Sequence, residues 1–388
     1  MQKDFLAQAA ETIQSLPGGE TIFTIATFVI VLAVLVFVHE LGHFLAARSV
    51  GIKVEKFSIG FGPVLARWMD KRGTQWQIAA LPLGGFVSML GESPETPLQK
   101  EDLPHAFTHK KIWQRAWVVI AGPAMNVVFA FVLLTAVMLT GEHRLKAEVG
   151  EVMPDMPAMG QLQEGDLITH FNGQPLEDWD AFQKAISDNL GAPLTLTVER
   201  ENTAQTVTLT PQITEFTDLL GESHTVGRIG VAPSYATFVT TYAPHLAIFR
   251  AAEKTWEMTA LTVTALGKLL IGAIPPDNLT GPLGIADMAG QTAANGIFAV
   301  LMFMVVISIN LAIVNLFPLP ILDGGHLVFL GLEKLRGKPL SPLTQEWLAR
   351  AGLALILALV VFSTFNDINR FGWLSDKTDE QTEHTATE

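Results

Sequence analysis

Three residues near the N-terminus have the chemistry of a metal-dependent hydrolase. His39, Glu40 and His43 lie within residues 36–45, and the two histidines are four positions apart. Positions four apart share one face of an α-helix, so both imidazoles can direct a ring nitrogen at the same metal ion. Glu40 projects in a neighbouring direction, from which it can take a proton from water that the metal activates. We therefore predict a site for one Zn2+ ion, with His39 and His43 as ligands and Glu40 as the catalytic base.

The residues before this motif indicate a membrane. Residues 23–38 include no charged side chain, and the whole chain of 388 residues is 49% hydrophobic and only 16% charged, whereas soluble domains have about 25% charged residues. Ionisable groups at membrane depth are costly, so a cluster of three indicates a function. A buried polar network without a metal is the alternative. Cysteine is absent, so a metal site must use His, Asp or Glu.

Four apolar stretches are long enough to span a bilayer core about 30 Å thick. The predicted fold class is therefore a polytopic α-helical membrane protein. Its four transmembrane helices are expected at residues 21–47, 117–140, 297–323 and 347–367. No basic segment precedes the first stretch, so we expect it to be retained and not cleaved as a signal peptide.

The distribution of basic residues predicts the orientation. Residues 48–115 contain ten Lys or Arg, whereas residues 141–296 contain eight basic and nineteen acidic side chains. Basic loops stay in the cytoplasm, which places residues 48–116 and 324–346 there. The segments expected on the outer side are the N-terminus (1–20), a folded domain (141–232), an interfacial helix and loop (233–296) and a polar tail (368–388).

A third metal ligand is expected at the depth of the two histidines. Asp323 is the only acid near the end of the third apolar stretch. Pro318 and Pro320 interrupt a regular helix just before it. The break should leave backbone groups free to pair with an extended substrate strand, and Asn315 offers a donor and an acceptor at the same place.

The ligand role of Asp323 has consequences for topology. An ion pair with Lys334 or Arg336 is the alternative role for this carboxylate. Asp323 and the histidine motif can lie at the same depth in the membrane only if their two spans run in the same direction. That requires one span between them in the sequence. Residues 255–274 are apolar enough to suggest a fifth span, but this argument predicts an interfacial helix instead.

Two regions outside the spans have β-strand patterns. Residues 53–68 and 74–90 are apolar and rich in β-branched residues, which predicts a β-hairpin over 53–90. A re-entrant hairpin at membrane depth requires burial in protein or a wet cavity, and an ordinary cytoplasmic hairpin is the alternative. Residues 145–212 read as strands around one helix that Asp178 or Asp180 caps. The order of these elements resembles a PDZ domain, an α/β domain inserted between the second and third spans.

The motifs together resemble those of the site-2 protease family. The residues that carry the resemblance are His39-Glu40-Leu41-Gly42-His43, Asn315-Leu316-Phe317-Pro318 and Leu322-Asp323-Gly324. Gly122-Pro123-Ala124-Met125-Asn126 is similar to a glycine-proline segment of that family, and the PDZ-like insert is similar to that of its RseP-like bacterial group. Well-known members carry two PDZ domains in tandem, whereas residues 141–232 have room for one.

The resemblance implies a zinc-dependent endopeptidase of the bacterial inner membrane, with both termini in the periplasm. Expected substrates are transmembrane segments of single-span proteins already trimmed outside, such as anti-sigma factors and remnant signal peptides. It implies that Asn315 and Pro318 bind substrate and that the ligands are His39, His43 and Asp323. A periplasmic PDZ domain would exclude bulky substrates or bind a peptide.

Two other classes of protein compete with this interpretation. A PDZ-bearing membrane scaffold without catalysis leaves the histidine motif and Asp323 unexplained. A metal transporter predicts polar groups strung across the membrane, whereas these cluster at one depth. The chain has no phosphate loop and no basic stripe, so we expect no nucleic-acid partner.

Overall fold

The computed structural model of the protein describes residues 18–92, 98–218 and 220–371, together with Ile13 and Ser15. The predicted outer N-terminus (1–20) and polar tail (368–388) lie mostly outside the described residues. The chain separates into two compact units. Unit one holds residues 1–134, 251–264 and 275–388, and unit two holds residues 135–250 and 265–274.

The described helices include all four predicted spans. They are α1 (Gly19–Ser49), α2 (Ile112–Thr140), α3 (Trp179–Ser187), α4 (Pro244–Leu270), α5 (Pro282–Ala294), α6 (Ile297–Asn315), α7 (Asp323–Arg336) and α8 (Pro342–Arg370). Within the described ranges, four helices are long and apolar enough to cross a membrane, namely α1, α2, α6 and α8. Helix α4 is not among them, and its location at the membrane interface stays a prediction.

The core of unit one includes a cluster in which α1 packs against α5 and α6. Phe23, Val31 and Leu35 of α1 contact apolar side chains of the two other helices. Gly290 of α5 lies so close to α1 that a Cβ there would be 2.2 Å from Thr24 Oγ1. Small residues at such crossings allow two helix backbones to approach closely.

The segment predicted as a hairpin over 53–90 is a more folded sheet. Its strands are β1 (Val54–Met69) and β2 (Gln75–Met89). Residues 56–59 of β1 pair with β2 on both of their edges. Residues 85–88 pair with them on one edge and residues 75–78 on the other. Both long strands therefore bend back on themselves. The bend in β1 includes Gly60, which has a φ of 87° and where a Cβ would lie 2.7 Å from the Leu81 carbonyl oxygen.

The structure differs from the sequence prediction at residues 275–296, which read as loop because of their Gly and Pro content. They include α5, whose first residue is Pro282. Proline is favoured in the first turn of a helix, where its missing N–H costs nothing. Asp367 of α8, which is fully buried, accepts hydrogen bonds from the backbone N–H groups of Gly281 and Gly284 at 3.0 and 2.9 Å. The proline therefore starts a helix here.

The third span is also shorter than the predicted 297–323. Helix α6 ends at Asn315, and Asp323 is the first residue of the separate helix α7. The segment predicted as a cytoplasmic loop (324–346) contains most of α7 and the start of α8. The predicted interruption of the helix before Asp323 is therefore confirmed, and the predicted bounds were wrong because a separate helix begins after Leu322.

Unit two contains the PDZ-like segment. Its strands are β3 (Glu142–Leu145), β4 (Val149–Val152), β5 (Leu167–Phe171), β6 (Gln174–Pro175), β7 (Leu194–Arg200), β8 (Thr203–Leu209), β9 (Gln212–Thr217), β10 (Ser223–Arg228), β11 (Val231–Pro233) and β12 (Thr237–Thr240). One sheet has four strands in the order β6–β5–β7–β8. The pairs β9–β10, β4–β11 and β3–β12 form separate two-stranded sheets.

The predicted capped helix of this unit is confirmed. Asp178 is the N-cap of α3, and its side chain accepts a hydrogen bond from the Ala181 backbone N–H at 2.8 Å. Trp179, Phe182 and Ile186 of α3 are buried in a core with the apolar residues of β7. The predicted turn at Asn172-Gly173 is also confirmed, since both residues have positive φ.

Candidate metal centre

Helices α1 and α7 bring the three predicted ligands to one point. The Nε2 atoms of His39 and His43 are 3.2 Å apart. Asp323 Oδ2 lies 3.1 Å from Nε2 of His39 and 3.4 Å from Nε2 of His43. Both histidines are buried, and the Asp323 side chain is 17% exposed. Among the described residues, this group is one of those that could hold a metal ion.

The donor set fits a divalent zinc ion. His43 Nδ1 lies 2.8 Å from the Val118 carbonyl oxygen, which can only accept, so this nitrogen carries the proton. A neutral His43 then presents the Nε2 lone pair towards Asp323 Oδ2. That oxygen is buried and has no hydrogen-bond partner among the described residues. Two imidazole nitrogens and one carboxylate oxygen that face each other in this way are satisfied together by a cation, and they match the ligands of catalytic zinc sites.

Two glycines allow helices α1 and α2 to approach closely enough to form the site. A Cβ on Gly42 would lie 2.2 Å from the Ala121 carbonyl oxygen. A Cβ on Gly122 would lie 2.3 Å from His43 Nε2. The His43 ring therefore occupies the space that a side chain at position 122 would fill.

The segment between α6 and α7 positions Asp323. A Cβ on Gly324 would lie 2.2 Å from the carbonyl oxygens of Leu316 and Phe317, and one on Gly325 would lie 2.2 Å from that of Leu319. Glycine has a low helix propensity, so a Gly-Gly pair by itself suggests a loosened helix. Their actual effect is to let the preceding turn fold tightly against the first turn of α7.

Glu40 lies in a cavity of about 630 Å³ that the ligands also line. One wall is the end of β2, from Gly85 to Met89, and a Cβ on Gly85 would be 3.0 Å from Glu40 Cγ. Residues 85–88 pair with β1 on one side, and the close approach of Gly85 brings their backbone beside the predicted base. Another anchor of the sheet is Arg48 at the end of α1, which forms an ion pair with Asp70 and donates to Thr74 Oγ1 at 3.0 Å.

The two predicted substrate-binding residues differ in placement. Asn315, the last residue of α6, lines the cavity. Pro318 lies in the turn that follows, is exposed, and is not among the residues that line the cavity. His326 lies on α7 and also lines the cavity.

Sequence reasoning missed other polar residues of this region. Glu92 lines the cavity, and burial raises the pKa of its carboxyl above the ordinary value. Arg115 at the start of α2 forms a two-pronged ion pair with Glu333 of α7, at 3.1 and 2.5 Å. Asn126 is fully buried and lies 3.3 Å from His39 Nδ1. Only Asn126 had a signal in the sequence, its place in the glycine-proline segment of α2.

The comparisons with known proteins agree with this geometry. The profile of peptidase family M50 matches residues 27–359. A "putative zinc metalloprotease" of Rhizobium meliloti is 38% identical, over 91% of this chain and 97% of its own length. The regulators of sigma-E protease RseP of Salmonella typhimurium and Escherichia coli are 34% and 33% identical, over 90% of this chain and 99% of theirs.

One solved structure concerns the inserted domain. It is the PDZ domain of an SdrC-like protein from Listeria innocua, 24% identical, which matches 23% of this chain and 92% of its own with a TM-score of 0.19. A likeness this weak carries no argument, so the PDZ assignment stays a prediction. The family match and the long relatives are decisive for the whole chain. The chain belongs to peptidase family M50, the site-2 protease family of intramembrane zinc metalloproteases.

Proposed function

We propose that this chain cleaves transmembrane segments of single-span proteins that another protease has already trimmed. The observation that carries the proposal is the convergence of His39, His43 and Asp323 around one point, in a cavity that Glu40 also lines. The cavity has a volume of about 630 Å³, which leaves room for a nucleophilic water beside Glu40.

The three ligands hold the zinc ion and Glu40 moves the proton. When bound, zinc lowers the pKa of water to about 7 and polarises the scissile carbonyl. Glu40 accepts the proton of the attacking water and then delivers it to the leaving amine. Glu40 is free for this task because it is not a ligand. His39 and His43, four positions apart, share one face of the helix, whereas Glu40 projects in a neighbouring direction.

The substrate is held as an extended strand. A helical carbonyl is already hydrogen-bonded, so the substrate helix must unwind before its peptide bond is attacked. The end of β2 offers backbone groups beside Glu40, which supports pairing with an unwound segment by strand addition. Asn315 at the end of α6 contributes a side-chain donor and acceptor at the same cavity. Pro318 contributes indirectly, by preventing α6 from continuing through the turn that leads to Asp323.

The protein lies in the bacterial inner membrane with both termini in the periplasm. Basic residues between α1 and α2 support a cytoplasmic location for the sheet β1–β2, which we place as a re-entrant element. Its apolar residues Phe61, Leu65 and Trp68 are 46%, 71% and 50% exposed, which supports contact with lipid. The PDZ-like insert and the interfacial helix α4 are then periplasmic.

The names of the relatives support a particular class of substrate. The Salmonella and Escherichia proteins are named regulators of sigma-E protease, which supports an anti-sigma factor of an envelope stress response as substrate, with remnant signal peptides as a second group. Those relatives align over 446 and 451 positions, more than the 388 residues of this chain. The extra segments support a single PDZ domain here, which excludes untrimmed substrates or binds a peptide.

The proposal is tested by replacing Glu40 and measuring two quantities. Purified wild type and Glu40→Gln are compared for zinc content and for cleavage of a single-span model substrate. We expect Glu40→Gln to retain zinc and to lose about 10²- to 10⁴-fold in cleavage rate. Glu20→Gln removes an exposed glutamate from the same helix and is expected to change neither.

The same measurements separate the competing classes. A wild type that holds zinc without cleaving any trimmed substrate indicates a transporter or a catalytically inactive protease. A wild type without zinc indicates a scaffold. Undiminished cleavage by Glu40→Gln would show that another group is the base.

A further inference from the structure

The side chain of Asn126 is buried beside a zinc ligand and is only partly satisfied. It lies in the middle of α2 and has no exposed surface. Its Nδ2 is 3.3 Å from His39 Nδ1, while its Oδ1 has no hydrogen-bond partner among the described residues. Leaving a buried polar atom without a hydrogen-bond partner is unfavourable. An arrangement that leaves this oxygen unpaired therefore needs an explanation.

The protonation of the ligand supplies the explanation. If His39 holds a metal through Nε2, that nitrogen uses its lone pair, so the proton of the neutral ring is on Nδ1. An Nδ1–H group needs an acceptor, and an amide NH2 group has no lone pair to offer. Exchanging the positions of the two amide atoms of Asn126 places Oδ1 opposite Nδ1, and the two orientations of a carboxamide fill the same space.

We propose that Asn126 is a positioning residue, whose Oδ1 accepts the Nδ1–H proton of His39 and thereby directs the Nε2 lone pair at the zinc ion. The inference rests on the proposed function and adds a determinant of metal affinity. It gives the two histidines matching partners on α2. His43 donates to the Val118 carbonyl at 2.8 Å, and His39 donates to the Asn126 amide.

Asn126 also connects the helices around the site. Ser308 of α6 is fully buried, and its hydroxyl donates to the backbone carbonyl of Asn126 at 2.8 Å. This residue of α2 therefore contacts both α1, which carries two ligands, and α6, which leads into the turn before Asp323. Partners of this kind typically contribute about 10- to 100-fold to metal affinity.

The first test needs no variant. The full-length protein is labelled with 15N-histidine, loaded with zinc, and examined by NMR for the protonation of each ring nitrogen. We expect His39 to carry its proton on Nδ1 with a hydrogen-bond signature. Coordination through Nδ1, or an Nδ1 without a proton, overturns the inference.

The second test measures zinc affinity by chelator competition. Asn126→Leu removes the acceptor and is expected to weaken zinc binding about 10- to 100-fold. Asn126→Asp keeps an acceptor oxygen and is expected to bind zinc within a few-fold of wild type. As a control, Asn310→Leu removes an amide from α6 whose hydrogen bond comes from Thr262, and its affinity should match wild type.

The outcomes distinguish this inference from the proposed function. A wild type that binds no zinc overturns the proposed function. Wild-type affinity in Asn126→Leu overturns the positioning role while the function stands. If Asn126→Leu does not fold, the comparison of Asn126→Asp with wild type and the NMR result decide, and a loss of more than about 10-fold in Asn126→Asp counts against an acceptor role.

Discussion

Two clusters of this molecule contain the same residue types but differ in their surroundings. One is His39, His43 and Asp323 in unit one, and the other is Asp218, Glu222 and His224 in unit two. In each cluster the potential ligand atoms all lie within 4.8 Å of one another. By residue type and spacing alone, both are candidates for a metal ion. Their burial and their existing partners separate them.

The second cluster is exposed and its charges are already neutralised by protein groups. The side chains of His224 and Glu222 are 48% and 56% exposed. Lys268 lies 2.5 Å from Glu222 Oε1, and the backbone N–H groups of Leu220 and Glu222 donate to Asp218 Oδ1. In the first cluster the ligand atoms of two helices face each other, and in the part of the chain that the structure describes no lysine or arginine forms an ion pair with Asp323. The difference shows that a metal site is recognised by buried ligand atoms that have no protein group to neutralise them and that helices hold in place.

The largest expected effect comes from removing one histidine from each cluster. His43→Ala takes away a ligand and leaves two donors, so we expect loss of stoichiometric zinc and at least about 10³-fold lower cleavage. His224→Ala should keep both at wild-type values. Zinc content is measured by atomic emission and cleavage with a single-span substrate. Loss of zinc in His224→Ala would end the distinction between the clusters.

A smaller effect is expected from crowding the first cluster without touching its ligands. Gly122→Ala puts a methyl group at the site 2.3 Å from His43 Nε2, so the ring must move. Displacements of about 1 Å can cost about 10²-fold in rate, and we expect that loss together with weaker zinc binding.

Gly331→Ala is the matched control for Gly122→Ala. This glycine lies within α7, where an added Cβ meets nothing within 4 Å. Alanine has the higher helix propensity, by about 1 kcal/mol, so the variant should be as active as wild type and slightly more stable. If Gly122→Ala is also as active as wild type, the close approach of α2 does not determine the position of the His43 ring.

The ligands themselves could be predicted from the sequence because their signals are local. The four-residue spacing of His39 and His43 places both side chains on one face of a helix. The apolar stretch before them indicates a membrane span, where three ionisable groups are costly unless they have a function. Asp323 was found by elimination, as the only acid near the end of the third stretch. The comparisons with relatives support the enzyme class.

What escaped prediction depends on contacts between distant segments. The sheet β1–β2 looked like a hairpin because the sequence does not record that residues 56–59 pair on both sides. Helix α5 looked like a loop because its cap, Asp367, comes more than eighty residues later. Asn126 was noticed only as part of a motif, since its importance comes from the neighbouring ring of His39 on another helix.

The smallest expected effect concerns acid and the exposed cluster. Hydrogen bonds from the Glu222 backbone N–H and from His224 outweigh partial desolvation and lower the pKa of Asp218 below its ordinary value. A lowered pKa means that the contribution to local stability is fully present above the unfolded value near 4 and is lost as pH falls through the folded value. The turn between β9 and β10 should therefore open more readily as pH falls below about 4.

Hydrogen exchange of the full-length protein measures this opening. After correction for intrinsic rates, we expect the Glu222 amide to lose protection as the pH falls below about 4 in wild type, and to show a smaller change in Asp218→Asn. Added zinc should leave the exchange at this turn unaltered near neutral pH, because Lys268 already occupies the carboxylate of Glu222. Zinc-dependent protection here would mean that the exposed cluster of Asp218, Glu222 and His224 also binds the metal. Burial would then not distinguish the two clusters.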